Sequence, residues 1–98
     1  MDKKQVIDIV STYKAAVLKL LPDARVFLFG SYSKGKARQD SDIDVAVVVP
    51  KFEGDWLAIS SSLWGVTWNI STLIEPVLIE ECHPSPLYED ILKTGIAV

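Results

Sequence analysis

Residues 30–48 read GSYSKGKARQDSDIDVAVV, a polar loop set between two apolar runs. Gly30-Ser31 is followed by ten residues and then by Asp42-Ile43-Asp44. Just before it, Arg25 to Phe29 is a short apolar run ending at Gly30, which reads as a strand. Asp42 to Val49 is rich in β-branched residues and stops at Pro50, which reads as a second strand. After Ala46 it is apolar on both alternating faces, as a central strand is. Residues two apart on a strand share a face, so Asp42 and Asp44 present two carboxylates side by side. Two hard carboxylates at that spacing suit Mg²⁺ ions about 3.5–4 Å apart, the arrangement used in phosphoryl and nucleotidyl transfer. Gly30 lets the backbone turn tightly and approach a phosphate. Ser31 offers a hydroxyl and a backbone N–H to terminal phosphates, the more so if a short helix starts there. Lys34, Lys36 and Arg38 lie between the two halves of the pattern and make a local positive patch suited to a triphosphate.

A second pattern overlaps the first. Gly30 to Lys36 also matches G-x-x-x-x-G-K, the phosphate loop of many nucleotide hydrolases. That motif continues with Ser or Thr, whose hydroxyl holds magnesium, and here the next residue is Ala37. The Gly-Ser and Asp-x-Asp reading is therefore preferred. Asp40 shares parity with Asp42 and Asp44 but precedes Ser41 in the loop, and reads as a turn residue.

Outward from this stretch the chain alternates helices and strands. Asp2 and Gln5 form a capping-box pattern, and Val6, Val10, Tyr13, Val17 and Leu21 recur at helical spacing until Pro22-Asp23. Trp56 to about Asn69 reads as a helix, with Trp56, Ile59, Leu63, Trp64 and Thr67 or Trp68 at helical spacing. Thr72 to Ile79 reads as a third strand, in which Pro76 implies an edge or a bulge. Ser85-Pro86 reads as an N-cap with proline at the first helical position, Leu87 to Thr94 as the helix, and Gly95 as its stop. The order α-β-loop-β-α-β-α predicts an α/β domain around a small sheet, one domain spanning residues 1–98.

Composition limits the function classes. Of 98 residues, 49% are hydrophobic and 23% charged, which describes a core-forming chain. The net charge of −3 argues against a basic nucleic-acid binder. Single Cys82 and His83 residues exclude an internal disulfide and a zinc site made of Cys and His alone. These two are adjacent and resemble a nucleophile and base, but no third orienting group is evident in the sequence, so they read as loop residues. Asp8 interrupts the apolar run after the basic start and no small-residue cleavage site follows, so no signal peptide is expected. The uncharged stretch Leu57 to Ile74 is broken up by Ser, Thr and Asn, so no membrane span is expected and the expected location is cytoplasmic.

At residues 30–48 the chain resembles the minimal nucleotidyltransferases (MNT) of the DNA polymerase β superfamily, and the resemblance extends over nearly the whole length. It implies the polymerase-β-like nucleotidyltransferase fold, a small mixed sheet with flanking helices, with Asp42 and Asp44 as metal ligands. The family's third carboxylate lies on the next strand, where Ile74-Glu75-Pro76-Val77 makes Glu75 the match. Its implied role is to hold the metal that activates the acceptor hydroxyl, or to act as general base. This is a departure, because aspartate is commoner there. Glu81, on the same face by alternation, is a second choice.

Larger members of the superfamily add a helical domain that grips base and acceptor. Its absence here implies a partner protein or a homodimer mate. Short chains of this kind resemble the MNT antitoxin of HEPN/MNT toxin–antitoxin modules, some of which transfer AMP from ATP to a tyrosine of a helical HEPN ribonuclease toxin. Trp56, Trp64 and Trp68 fit either a partner-facing helix or the core of a small domain. The resemblance thus implies Mg²⁺-dependent transfer of AMP to a partner-protein hydroxyl. The alternatives are a non-catalytic antitoxin that acts by contact, and a small-molecule, antibiotic-modifying nucleotidyltransferase.

Overall fold

The structure, a computed structural model, describes residues 2–38 and 41–98. Along the chain lie α1 (Lys3–Leu20), β1 (Arg25–Phe29), β2 (Ile43–Val49), α2 (Trp56–Thr67), β3 (Ile74–Glu80), α3 (Pro86–Thr94) and β4 (Ile96–Ala97). The strands form one sheet in the order β3-β2-β1-β4. β1 runs antiparallel to β2 and β4, whereas β2 and β3 are parallel, with α2 as the crossover that parallel neighbours require. The expected small mixed sheet with flanking helices is therefore present.

Strand alternation sorts the core into two layers. On one face α1 and α2 pack on Val26, Leu28, Ile43, Val45, Val47, Ile74 and Leu78. The capping box that starts α1 forms as expected: the Gln5 N–H donates to Asp2 over 2.8 Å, and the Asp2 N–H donates to the Gln5 side chain over 3.0 Å. Val6, Val10, Tyr13 and Val17 are fully buried. The Tyr13 hydroxyl donates to the Leu63 carbonyl over 2.7 Å, and burial pushes that phenol far up, so it stays a donor that ties α1 to α2. Each fully buried Val- or Leu-sized side chain contributes about 1.5–3 kcal/mol.

The opposite face is covered by α3, whose Tyr88 and Ile91 pack on Phe27, Ala46, Val48 and Ile79. Phe29 and Val77 are half-buried and pack against this cluster. Asp44 and Glu75 belong to this face by the same alternation as Ala46 and Val77.

Several boundaries differ from expectation. Asp42 precedes β2 rather than lying in it, and β3 runs from Ile74 to Glu80. Pro76 sits on the edge strand without a bulge, because the β2–β3 register is unbroken from Ile43–Ile74 to Val49–Glu80. β4 was not expected. It is two residues long, and the Val98 N–H extends it by donating to the Val26 carbonyl. Gly95 does end α3, but at φ −72°, not in the left-handed region. A side chain there would lie 2.5 Å from the Ile91 carbonyl oxygen, so close packing explains the glycine.

In α2 the structure separates the two readings of the tryptophans. Its buried residues are Leu63 and Thr67, with Ile59 and Val66 packed beside them, while Trp56, Leu57, Trp64 and Trp68 are exposed. The tryptophans therefore lie outside the core. Leu57 and Trp68 keep 76% and 77% of their surface exposed, which makes α2 apolar on its outer side as well. Asp40 lies outside the described residues. Among those described, no helix is long and apolar enough to cross a membrane.

Candidate active site

Two strand ends and one turn build the site. β1 delivers Phe29 opposite Asp44, and β2 delivers Asp44 opposite Glu75 in the parallel register. Asp42 stands two residues before Asp44, exposed at the mouth of the strand. Strand pairing thus gathers three carboxylates at one end of the sheet. Glu81, the second choice for the third carboxylate, is not among them. It follows β3 at the far end of the sheet and pairs with Arg25 at 3.2 Å.

The charges of the three carboxylates act on one another. Partial burial, and then the Asp42 charge, push the Asp44 carboxyl above its ordinary value. Glu75 is likewise raised, first by desolvation and then by Asp42 and Asp44, with a hydrogen bond to Asp42 adding to the effect. Among the described residues no Lys or Arg forms an ion pair with any of the three. An all-oxygen, uncompensated acidic set of this kind fits a hard divalent cation such as Mg²⁺. The three carboxylates together form an acidic cradle at this end of the sheet.

Gly30 closes the floor of the cradle. It turns the chain out of β1 with φ +73°, and any side chain there would fall on the Asp44 carboxylate. Both facts call for glycine. The following residues form a turn rather than a regular helix. The Lys34 N–H donates to the Gly30 carbonyl at 3.1 Å, the Lys36 N–H to the Ser31 carbonyl at 2.9 Å, and the Ser33 hydroxyl to the Gly30 carbonyl at 2.9 Å. Ser31 is half-buried beside Gly30.

The basic residues are placed less uniformly. Lys34 reaches Asp90 on α3 at 3.4 Å, which holds it over the same sheet face as Asp44 and Glu75. Lys36 and Arg38 are exposed. The Arg38 backbone is fixed by Ser41, whose hydroxyl accepts the Arg38 N–H at 2.7 Å, and by the buried Tyr32, whose hydroxyl donates to the Arg38 carbonyl at 3.3 Å. Asp90 and Tyr32 carried no signal in the sequence, since both act through tertiary contacts. The phosphate-loop reading gains nothing from the fold, because a turn, not a long helix, follows Gly30 and Ala37 has no hydroxyl.

A relative from Methanocaldococcus jannaschii, described as a "putative protein adenylyltransferase", is 26% identical over 100 residues, covering 96% of this chain and 99% of its own. The fold is shared with a "putative nucleotidyltransferase" from Sulfolobus solfataricus, at a TM-score of 0.70 and 18% identity, covering 97% of this chain and 80% of that one. It is also shared with a toxin–antitoxin protein solved with AMP-PNP, at a TM-score of 0.60 and 21% identity, covering 99% of this chain and 72% of that one. The model of the nucleotidyltransferase domain family matches residues 10–96. That match takes in Gly30, Ser31 and all three carboxylates, and the chain belongs to the nucleotidyltransferase domain family.

Proposed function

We propose that this chain, as a single nucleotidyltransferase domain over residues 1–98, transfers AMP from ATP to a hydroxyl of a partner protein in a Mg²⁺-dependent reaction. The observation that carries the reading is the meeting of Asp42, Asp44 and Glu75 at one sheet end, with Asp44 set against Gly30. Asp42, Asp44 and Glu75 would hold the metal. Bound divalent cations would supply charge neutralisation at the attacking oxygen, the α-phosphate and the leaving pyrophosphate.

In this reading Gly30 and Ser31 receive the terminal phosphates, and Lys34, Lys36 and Arg38 supply positive charge around them. The acceptor oxygen attacks the α-phosphorus, its bond forming as the bond to the β-phosphate oxygen breaks and pyrophosphate departs. Glu75 takes the acceptor's proton. The protein acceptor is supported by the description of the archaeal relative, and the nucleotide by the AMP-PNP in the fold neighbour.

A partner also suits the exposed apolar side of α2, where Trp56, Leu57, Trp64 and Trp68 lie outside the core. The same surface favours the second reading, a binding module that neutralises a partner, such as a HEPN-type toxin, by contact. One experiment separates them. The protein is mixed with α-labelled ATP, Mg²⁺ and the product of the neighbouring gene. Label is expected on the partner, and is expected to vanish with Asp42→Ala or Asp44→Ala. Neutralisation that survives both substitutions without label transfer would establish the binding module instead. Transfer of a γ-label would mean kinase chemistry.

A further inference from the structure

The far end of β3 carries a second cluster of ligating groups, which the transferase reading leaves unused. Glu80, Cys82 and His83 bring one ligand atom each within 4.8 Å of one another. The turn that does this is pinned by its backbone. The His83 N–H donates to the Glu80 carbonyl at 3.2 Å, the Glu81 N–H to Val49 at 2.8 Å, and the Cys82 N–H to Pro50 at 3.3 Å. The Glu80 carboxylate is itself oriented, accepting the Phe52 N–H at 3.0 Å and the Cys82 thiol at 3.4 Å. Glu80 and His83 also line a cavity of about 370 Å³, shared with Trp56, Val77, Ile79 and Leu87.

We propose that Glu80, Cys82 and His83 form a three-ligand site for a borderline-soft divalent ion, Zn²⁺ above all, with its fourth position open toward this cavity. The donor set decides the metal. A sulfur, an imidazole nitrogen and one carboxylate are poor ligands for Mg²⁺ or Ca²⁺, which take oxygen, and are the ordinary ligands of Zn²⁺. Tetrahedral bonds of 2.0–2.3 Å place ligand atoms about 3.5 Å apart, so side-chain rotation within the pinned turn suffices to close the site. Binding converts the Cys82 thiol to a metal-bound thiolate and releases one proton to solvent. Thiolate and carboxylate then balance the dication. Five residues along β3 separate Glu80 from Glu75, about 16 Å, so the two centres are distinct.

The site is tested with the purified full-length chain by titrating Zn²⁺ against a chromogenic chelator, with Co²⁺ as a spectroscopic probe. One ion per chain is expected, with a thiolate-to-cobalt absorption band. Cys82→Ser and His83→Ala should each weaken Zn²⁺ binding at least about tenfold. Both residues are exposed, so folding is expected to survive, as circular dichroism would show. The double substitution Asp42→Asn, Asp44→Asn should leave the Zn²⁺ affinity unchanged. Equal affinity in the parent and Cys82→Ser, a cobalt spectrum without the thiolate band, loss of binding in the double Asp variant, or one ion per two chains would each overturn the proposal.

Discussion

Glu75 and Glu80 are the same residue type on the same edge strand, five positions apart, and the fold treats them oppositely. Glu75 stands among carboxylates, and its proton affinity is raised by partial desolvation, Asp42 and Asp44. Glu80 accepts the Phe52 backbone N–H, and its proton affinity is lowered chiefly by that bond. One end of β3 therefore concentrates negative charge that the chain leaves unneutralised, and the other satisfies its carboxylate from within. At the Gly30 end charge balance has to come from outside the chain, whereas at the other end hydrogen bonds already orient the carboxylate beside Cys82 and His83.

The largest expected effect lies at the unbalanced end. Asp44→Asn should reduce nucleotidyl transfer by about 100- to 1000-fold, the scale of losing a main electrostatic contact to the transition state. In metal-free buffer the same substitution should raise the melting temperature, because the folded state disfavours the ionised Asp44 that Asn replaces. A lower melting temperature would mean that the fold favours the ionised Asp44 after all. Glu75→Gln should follow, with transfer falling about 100-fold if Glu75 takes the acceptor proton. Unchanged transfer would remove Glu75 from the chemistry. Gly30→Ala comes next. It combines a backbone cost of about 1–2 kcal/mol for a side chain at positive φ with a collision at Asp44. Both the urea midpoint and transfer should fall, and retention of either would mean the cradle is looser than its packing implies.

How much of this was legible beforehand follows from which forces are local. Gly30-Ser31 and Asp42-x-Asp44 were readable because one loop and one strand set their relation. The α1 cap was readable because Asp2 and Gln5 are three residues apart. Glu75 came from family resemblance, since only the parallel register places it opposite Asp44. The buried side of α2 was not readable, because Trp56, Ile59, Leu63 and Trp64 make both sides apolar and periodicity cannot choose between them. β4 was missed because two residues carry no alternation and depend on pairing with β1. The Glu80–Cys82–His83 cluster was missed for a similar reason. Adjacent Cys82 and His83 lacked a third group until the turn returned them to Glu80.

The smallest effect is a pH dependence that differs in sign between the two ends of β3. Asp44 and Glu75 have folded proton affinities above their unfolded values, so the native state holds more protons than the unfolded chain between those values. Stability from these groups must then fall as pH rises through that window, and in metal-free buffer the protein should gain stability as pH drops from neutral toward the mildly acidic range. Mg²⁺ should flatten this slope, since a bound cation favours the ionised carboxylates in the fold. Glu80 runs the other way. Its folded proton affinity lies below the unfolded one, so its contribution is present above the ordinary carboxylate value and is lost as pH falls through the folded value. Urea midpoints measured across this range should therefore show a modest rise on acidification, then a fall. In Glu80→Ala the acidic fall should weaken, while in Asp44→Asn the initial rise should weaken. A parent curve that only declines on acidification, and does not change slope with Mg²⁺, would mean that the carboxylates at the Gly30 end are already compensated within the chain.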